Sequence, residues 1–145
     1  MFFATRENWF EPNRNPEIAG IARGGEALAS TPNAIAQFAP GERPALTAVH
    51  TAEPSSLFQA YSKYDAAGQR IESLQERWTY SWFTSAGSFE KAHTKAEEDE
   101  AVWAVPGGAS GESLPESGKA RLYAVVRDLR GGMAWVVREV RVQSP

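Results

Sequence analysis

The residue types that perform chemistry in proteins are sparse in this sequence of 145 residues. His50 and His93 are the only imidazoles, and they do not form a metal-binding motif such as His-x-x-x-His. There is no cysteine, and no Gly-x-Ser-x-Gly turn presents a serine nucleophile. We therefore expect a non-enzymatic protein with no catalytic residue, metal or cofactor. Both histidines are expected to be solvated or to lie on a strand surface.

Two stretches have a composition found in ligand sites, but each lacks the spacing that such sites need. Residues 97–100 are four consecutive carboxylates, whereas calcium loops space their ligands and contain a turn glycine. We expect a solvated loop or short helix over residues 90–100. Residues 107–111 are Gly-rich but lack the Gly-Lys-Ser/Thr ending of a phosphate loop, so residues 106–119 are predicted to be a connecting loop.

The charge pattern limits the classes of partner. The chain has 15 Lys+Arg and 18 Asp+Glu, a net charge of -3 that lacks the basic excess of a nucleic-acid binder. Residues 90–118 carry -5, whereas residues 119–145 carry +4 with arginines that are expected mostly to alternate faces. These arginines either oppose edge-to-edge aggregation or meet an acidic partner. No apolar run is long enough for a membrane span.

The strongest local patterns predict β-strands. In residues 78–82, Trp78, Tyr80 and Trp82 alternate with Thr and Ser, which is typical of a half-buried antiparallel strand. The β-branched and aromatic runs at 121–127 and 133–142 flank a predicted turn. Residues 51–77 show no clear period and are predicted to be an irregular insertion, and 26–33 a loop. About seven short strands with no convincing amphipathic helix predict an all-β antiparallel sandwich.

The turn of the last hairpin contains Asp128, Arg130, Gly131 and Gly132. We expect the Asp128 carboxylate to accept hydrogen bonds from backbone N–H groups two or three residues on, with Arg127 or Arg130 pairing with it. A ligand contact is the alternative role. Among the tryptophans, Trp82 and Trp103 are expected in the core, with a carbohydrate-stacking platform as the alternative, and the side that Trp135 faces is left open.

The first 16 residues predict an extended arm or linker that precedes a domain over residues 17–145. Prolines at 12 and 16 with Asn between them disfavour helix. Four aromatic side chains of this arm either pack on the domain or insert into a partner, which makes them candidate partner-binding residues: Phe2, Phe3, Trp9 and Phe10. The opening residues lack the pattern of a signal peptide, so the protein is either cytoplasmic or an exported chain without its leader.

Several of these motifs resemble a known family. The sequence Ala-Pro-Gly at 39–41, the aromatic strand at 78–83 and the hairpin at 125–132 are similar to polycystic-kidney-disease-type (PKD-like) domains of the immunoglobulin-like superfold. More closely, the sequence resembles Ig-like modules in predicted cell-envelope lipoproteins of Gram-negative bacteria, at residues 13–16, 80–83, 86–89, Trp103 and 127–132. The resemblance spans residues 13–143.

The resemblance implies an immunoglobulin-like, PKD-like sandwich that acts without catalysis as an interaction or structural module. It implies a cell-envelope or extracellular location, a protein partner or neighbouring domain, and no nucleic acid. Two alternatives stay open. One is a small structural subunit of a larger assembly, anchored through the aromatic arm by strand addition or insertion. The other is an accessory carbohydrate-binding domain.

Overall fold

The computed structural model describes residues 13–96, 98–108 and 111–143. These residues contain a 3-10 turn at Pro32–Ala34, one helical turn α1 at Pro54–Leu57, and twelve strands. The strands in chain order are β1 Gly20–Arg23, β2 Glu26–Ala27, β3 Ala36–Phe38, β4 Ala45–Val49, β5 Ala60–Tyr64, β6 Arg70–Gln75, β7 Thr79–Thr84, β8 Ser88–Phe89, β9 His93–Lys95, β10 Ala101–Ala104, β11 Lys119–Arg127 and β12 Met133–Val142.

Ten of these strands form two five-stranded sheets. The first sheet has the order β2-β1-β4-β10-β8, and the second has the order β3-β12-β11-β7-β9. Every pairing is antiparallel except that of β3 with β12, which is parallel. The remaining strands, β5 and β6, form a separate hairpin.

Side-chain alternation in β7 and β11 builds one wall of the core. The inward residues of β11 are small or β-branched, with one Leu, and all are fully buried: Ala120, Leu122, Ala124 and Val126. In the neighbouring strand Tyr80 and Trp82 are 1% exposed. The register places Ala124 beside Trp82, so a small side chain makes room for the indole.

Residues of the first sheet close the core from the opposite side. The Trp103 ring is fully buried and meets Phe38 edge to face at 5.3 Å. Its Nε1–H donates to the Ala86 carbonyl at 3.0 Å. Gly87 follows with φ +75°, and a Cβ there would overlap the Ala104 carbonyl oxygen and lie 2.8 Å from Trp103 Nε1. The buried indole therefore requires glycine at this bend.

The prediction of an all-β, sandwich-like chain is confirmed. The number of strands differs from the expected seven or so because several strands have only two or three residues. Two of these fall in stretches predicted to lack strands, β2 within 26–33 and β9 within 90–100. No helix among the described residues is long and apolar enough to cross a bilayer.

The prediction of an irregular insertion over 51–77 is wrong. After the helical turn, β5 and β6 form an ordered hairpin with a bulge between Lys63 and Tyr64. Its turn is fixed by Asp65, whose Oδ1 accepts hydrogen bonds from the N–H groups of Ala67 and Gln69, both at 2.9 Å. Most side chains of β6 are exposed, so the segment has no alternating apolar pattern that the sequence could reveal.

Candidate functional site

The outer face of the second sheet carries the exposed apolar side chains of β7 and β12. Because the even-numbered residues of β11 point into the core, Tyr123 and Val125 point outward. The register aligns Tyr123 with Phe83 on one side and Val137 on the other, and it aligns Val125 with Trp135. With Met133, these residues form what we call the apolar strip: Phe83, Tyr123, Val125, Met133, Trp135 and Val137.

Three members of the apolar strip are largely exposed. Trp135 is 60% exposed, Phe83 is 50% and Met133 is 49%. Tyr123, Val125 and Val137 are half-buried between them. Scattered single apolar residues are common on protein surfaces, but a contiguous group that crosses three strands is typical of an interaction site.

Basic residues surround the apolar strip on the same face of the sheet. The outward positions of β9, β11 and β12 hold five cations: Lys95, Lys119, Arg121, Arg127 and Arg141. The one carboxylate at an outward position of these strands, Glu139, lies 2.9 Å from Lys119 Nζ. A hydrogen bond from Lys119 lowers the pKa of Glu139 below its ordinary value. Five cations less one anion leave this face with a formal charge of +4.

This arrangement corrects the expectation that the arginines mostly alternate faces. Arg121, Arg127 and Arg141 share the outer face because they occupy odd positions in paired strands. Arg138 points the other way, and its guanidinium donates to the carbonyls of Ala19 at 2.9 Å and Leu28 at 3.2 Å.

A buried carboxylate fixes the turn at one end of this face. Asp128 is 1% exposed, and its Oδ1 accepts hydrogen bonds from the N–H groups of Arg130 at 2.7 Å and Gly132 at 2.8 Å. Its Oδ2 accepts one from Asn13 Nδ2 at 2.6 Å. Desolvation by burial opposes these hydrogen bonds, but together they lower the pKa of Asp128. At Gly132 a Cβ would overlap Asp128 Oδ2, so the turn closes tightly around the carboxylate.

Arg130 extends from this turn to the separate hairpin. Its Nη1 lies 2.8 Å from Oε1 of Glu76, whose side chain is 1% exposed. The guanidinium also lies 4.5 Å from the centre of the Tyr61 ring and donates to Gln59 Oε1 at 3.3 Å. The backbone N–H of Gln59 donates to the second Glu76 oxygen at 3.0 Å. This ion pair therefore joins β5 and β6 to the main sandwich.

The two histidines have different surroundings. His50 is half-buried and directly follows β4. Its Nδ1–H donates to the Glu17 carbonyl at 2.6 Å, and its Nε2 lies 2.7 Å from the Tyr80 hydroxyl. His93 is exposed on β9, with Nδ1 3.1 Å from Ser81 Oγ. Within the described ranges, no group of three or more His, Cys, Asp or Glu is arranged to hold a metal ion.

The buried tryptophans give no stacking surface. Trp82 is 1% exposed and Trp103 is fully buried, as core positions are. Among the described residues, the exposed aromatic side chains are instead Phe83 and Trp135, which the sequence did not single out for binding. The alternation that puts Trp82 inward places Phe83 outward, and this was the signal available for it. The arm residues Phe2, Phe3, Trp9 and Phe10 lie outside the described residues.

Two clefts of the described surface are open and are lined by few chemically reactive groups. One of about 490 Å³ is lined by Arg23, Glu26 and small residues around β2. Another, of about 260 Å³, lies between Arg14, Glu17 and Trp78.

Comparisons of the chain with protein-family models, with curated proteins and with solved structures each find no match.

Proposed function

We propose that this chain is a non-enzymatic interaction module that binds a protein partner through the outer face of its second sheet. The observation that carries this proposal is the exposure of Phe83 and Trp135 on one face that also holds five cations. Burying a large apolar side chain such as Phe stabilises a protein by about 1.5–3 kcal/mol, and an exposed one does not contribute this stabilisation. Their exposure therefore favours a role in binding.

The chemistry of the face indicates the kind of partner. Aliphatic side chains from Val125, Val137 and Met133 lie among the aromatic rings, which suits the mixed apolar surface of a protein. The two side chains considered for a sugar-stacking platform, Trp82 and Trp103, are buried. The formal charge of +4 favours a partner whose contacting surface is apolar at its centre and acidic around it.

The order of the strands supports an immunoglobulin-like assignment as part of this proposal. Constant-type Ig domains have the strand order A-B-E-D in one sheet and C-F-G in the other. Here β1, β4, β10 and β8 take the positions A, B, E and D, and β7, β11 and β12 take C, F and G. One departure is that β8 precedes β9 along the chain, whereas variable-type domains place the strand beside C before D.

The proposed setting is the cell envelope or the extracellular space of a bacterium. This part of the proposal rests on the sequence resemblance to modules of envelope lipoproteins. The alternative role as an assembly subunit depends on Phe2, Phe3, Trp9 and Phe10 and is tested by removing them.

Affinity capture with matched variants tests the proposed face. The bait proteins are the wild type, Phe83→Ser, and Ile71→Ser as the control, because Ile71 is 58% exposed on β6 outside the face. We expect a protein from the encoding organism to be retained by the wild type and by Ile71→Ser but lost with Phe83→Ser. Equal retention by all three baits, or tight binding of a labelled single-stranded oligonucleotide to the face, contradicts the proposal.

A further inference from the structure

The edge of β12 is only partly covered. This strand has ten residues, but β3 pairs with only its last three, at Val140, Arg141 and Val142. Upstream of this pairing the chain forms the 3-10 turn at Pro32–Ala34. Along residues 133–137, no other strand of the described chain is hydrogen-bonded to β12 on that side, and we call this stretch the open edge.

The hydrogen bonds at the ends of β12 show which backbone groups face the open edge. Val142 N–H donates to the Gly118 carbonyl at 2.8 Å, so even-numbered residues direct their backbone groups toward β11. Gln143 N–H donates to the Phe38 carbonyl at 3.1 Å, so odd-numbered residues direct theirs toward the β3 side. Met133, Trp135 and Val137 consequently present their N–H and C=O groups along the open edge.

Most of the usual protections of an exposed edge are missing along residues 133–137, and the one present is an inward charge at the Val137 end, Arg138. Natural sheets guard such edges with Lys, Pro, bulges or inward charges. Residues 133–137 are Met, Ala, Trp, Val and Val, and they pair with β11 in continuous register without a bulge. The nearest cation, Arg138, is held against Ala19 and Leu28, and its Nη1 donates to the Val137 carbonyl at 2.8 Å. This is the one side-chain hydrogen bond to the open edge within the described residues.

We infer that a second copy of this chain pairs with the open edge in antiparallel orientation, so that two second sheets join into one. A two-fold axis at Trp135 sets Met133 opposite Val137 of the second copy and Trp135 opposite Trp135. All three residues then occupy hydrogen-bonded positions, with the Val137 carbonyl accepting both from Arg138 Nη1 and from the second copy. No charged residue of one copy lies directly opposite a like charge of the other.

The exposed side chains and the charges both favour this geometry. Trp135 and Met133, at 60% and 49% exposure, lie on the odd positions that adjoin the seam. Stacking the two outer faces against each other would instead bring together two surfaces of charge +4, which mutual repulsion opposes. Edge pairing leaves these charged faces side by side and open to other partners. The inference is therefore independent of the protein partner proposed above.

Sedimentation velocity of the full chain tests this inference over about 1 μM to about 1 mM, a range that covers weak and moderate affinities. We expect a monomer–dimer equilibrium that Trp135→Lys weakens at least tenfold, because the variant sets two ammonium groups across the axis. The matched control is Phe83→Lys, which adds the same charge at an exposed aromatic position of β7, away from the edge. The control is expected to leave the dissociation constant within about twofold of the wild type.

Amide hydrogen exchange provides a second measurement that does not depend on a variant. In the dimer, the N–H groups of Met133, Trp135 and Val137 become slower to exchange than in dilute monomer, while those of β6 stay unchanged. A monomer across the whole concentration range overturns the inference. So does equal weakening by both Lys variants, which would place the contact on the face. Loss of a captured partner with Phe83→Ser concerns only the proposed function.

Discussion

Replacing Arg130 with Met tests how strongly the buried ion pair holds the separate hairpin to the sandwich. The substitution keeps an unbranched apolar chain but removes the guanidinium from Glu76 Oε1, at 2.8 Å, and from the Tyr61 ring. The Glu76 side chain is 1% exposed, so its carboxylate would remain in a desolvated site without a cation. The N–H of Gln59, at 3.0 Å, would still donate to the second Glu76 oxygen.

The expected loss is large for a single substitution. Breaking one side of a buried ion pair costs about 3–5 kcal/mol, and the 21% exposure of the Arg130 side chain favours the lower end, about 3 kcal/mol. Domains of this size lose roughly 3 °C in Tm per kcal/mol, so Tm should fall by about 10 °C. Replacing both partners by apolar residues removes the unpaired charge and should restore most of the stability.

Urea unfolding followed by tryptophan fluorescence measures the change. The control is Arg43→Met, which removes the cation of an exposed pair with Glu90, with side chains 64% and 40% exposed. Such surface pairs contribute about 0–1 kcal/mol.

The reasoning would be refuted if Arg130→Met lost no more stability than Arg43→Met. A double replacement of Arg130 and Glu76 by apolar residues that recovers no stability would also count against it, because the loss would then come from packing against Tyr61 and not from the unpaired charge.

Three further substitutions follow from the same structure. Asp128→Asn should cost about 1–3 kcal/mol near neutral pH, because it replaces an acceptor of three hydrogen bonds. Since folding lowers the pKa of Asp128, the stability that this carboxylate contributes is present above its unfolded pKa and is lost as the pH falls through its folded pKa. The difference from wild type in chemical denaturation should therefore vanish in acid. Gly87→Ala should lower Tm much more than Gly24→Ala, because both glycines have positive φ but only Gly87 has atoms within contact distance of a new Cβ. His50→Phe should destabilise by about 1–3 kcal/mol because the ring loses its bonds to Glu17 and Tyr80, and equal stability in calorimetry would count against this.

The strands with alternating burial could be predicted from the sequence, because apolar and polar side chains alternate along them. Trp78, Tyr80 and Trp82 are buried at 1–2% exposure, as their two-residue period indicates. The hairpin of β5 and β6 could not be predicted this way. It is attached through Arg130 and Glu76, which are 54 residues apart, and one-dimensional patterns do not reveal such a charge pair.

The sequence alone does not indicate which residues form the candidate face. In β12 both sides of the strand are apolar over residues 133–137, so the sequence gives no contrast between core and surface. The orientation of Trp135 follows only from its pairing with Val125, which points away from the core. The common direction of Arg121, Arg127 and Arg141 likewise depends on the register between β11 and β12.

The parallel pairing of β3 with β12 has a consequence for how the chain folds during synthesis. It joins Ala36 to Val140, which are 104 positions apart, whereas β1 and β4 can pair as soon as residue 49 has left the ribosome. Contacts between distant positions close large loops and slow the folding of β proteins. The second sheet is therefore completed last, and until β11 and β12 are made the aromatic side chains of β7 belong to an incomplete wall of the core. We expect the nascent chain to be most prone to aggregation during that interval.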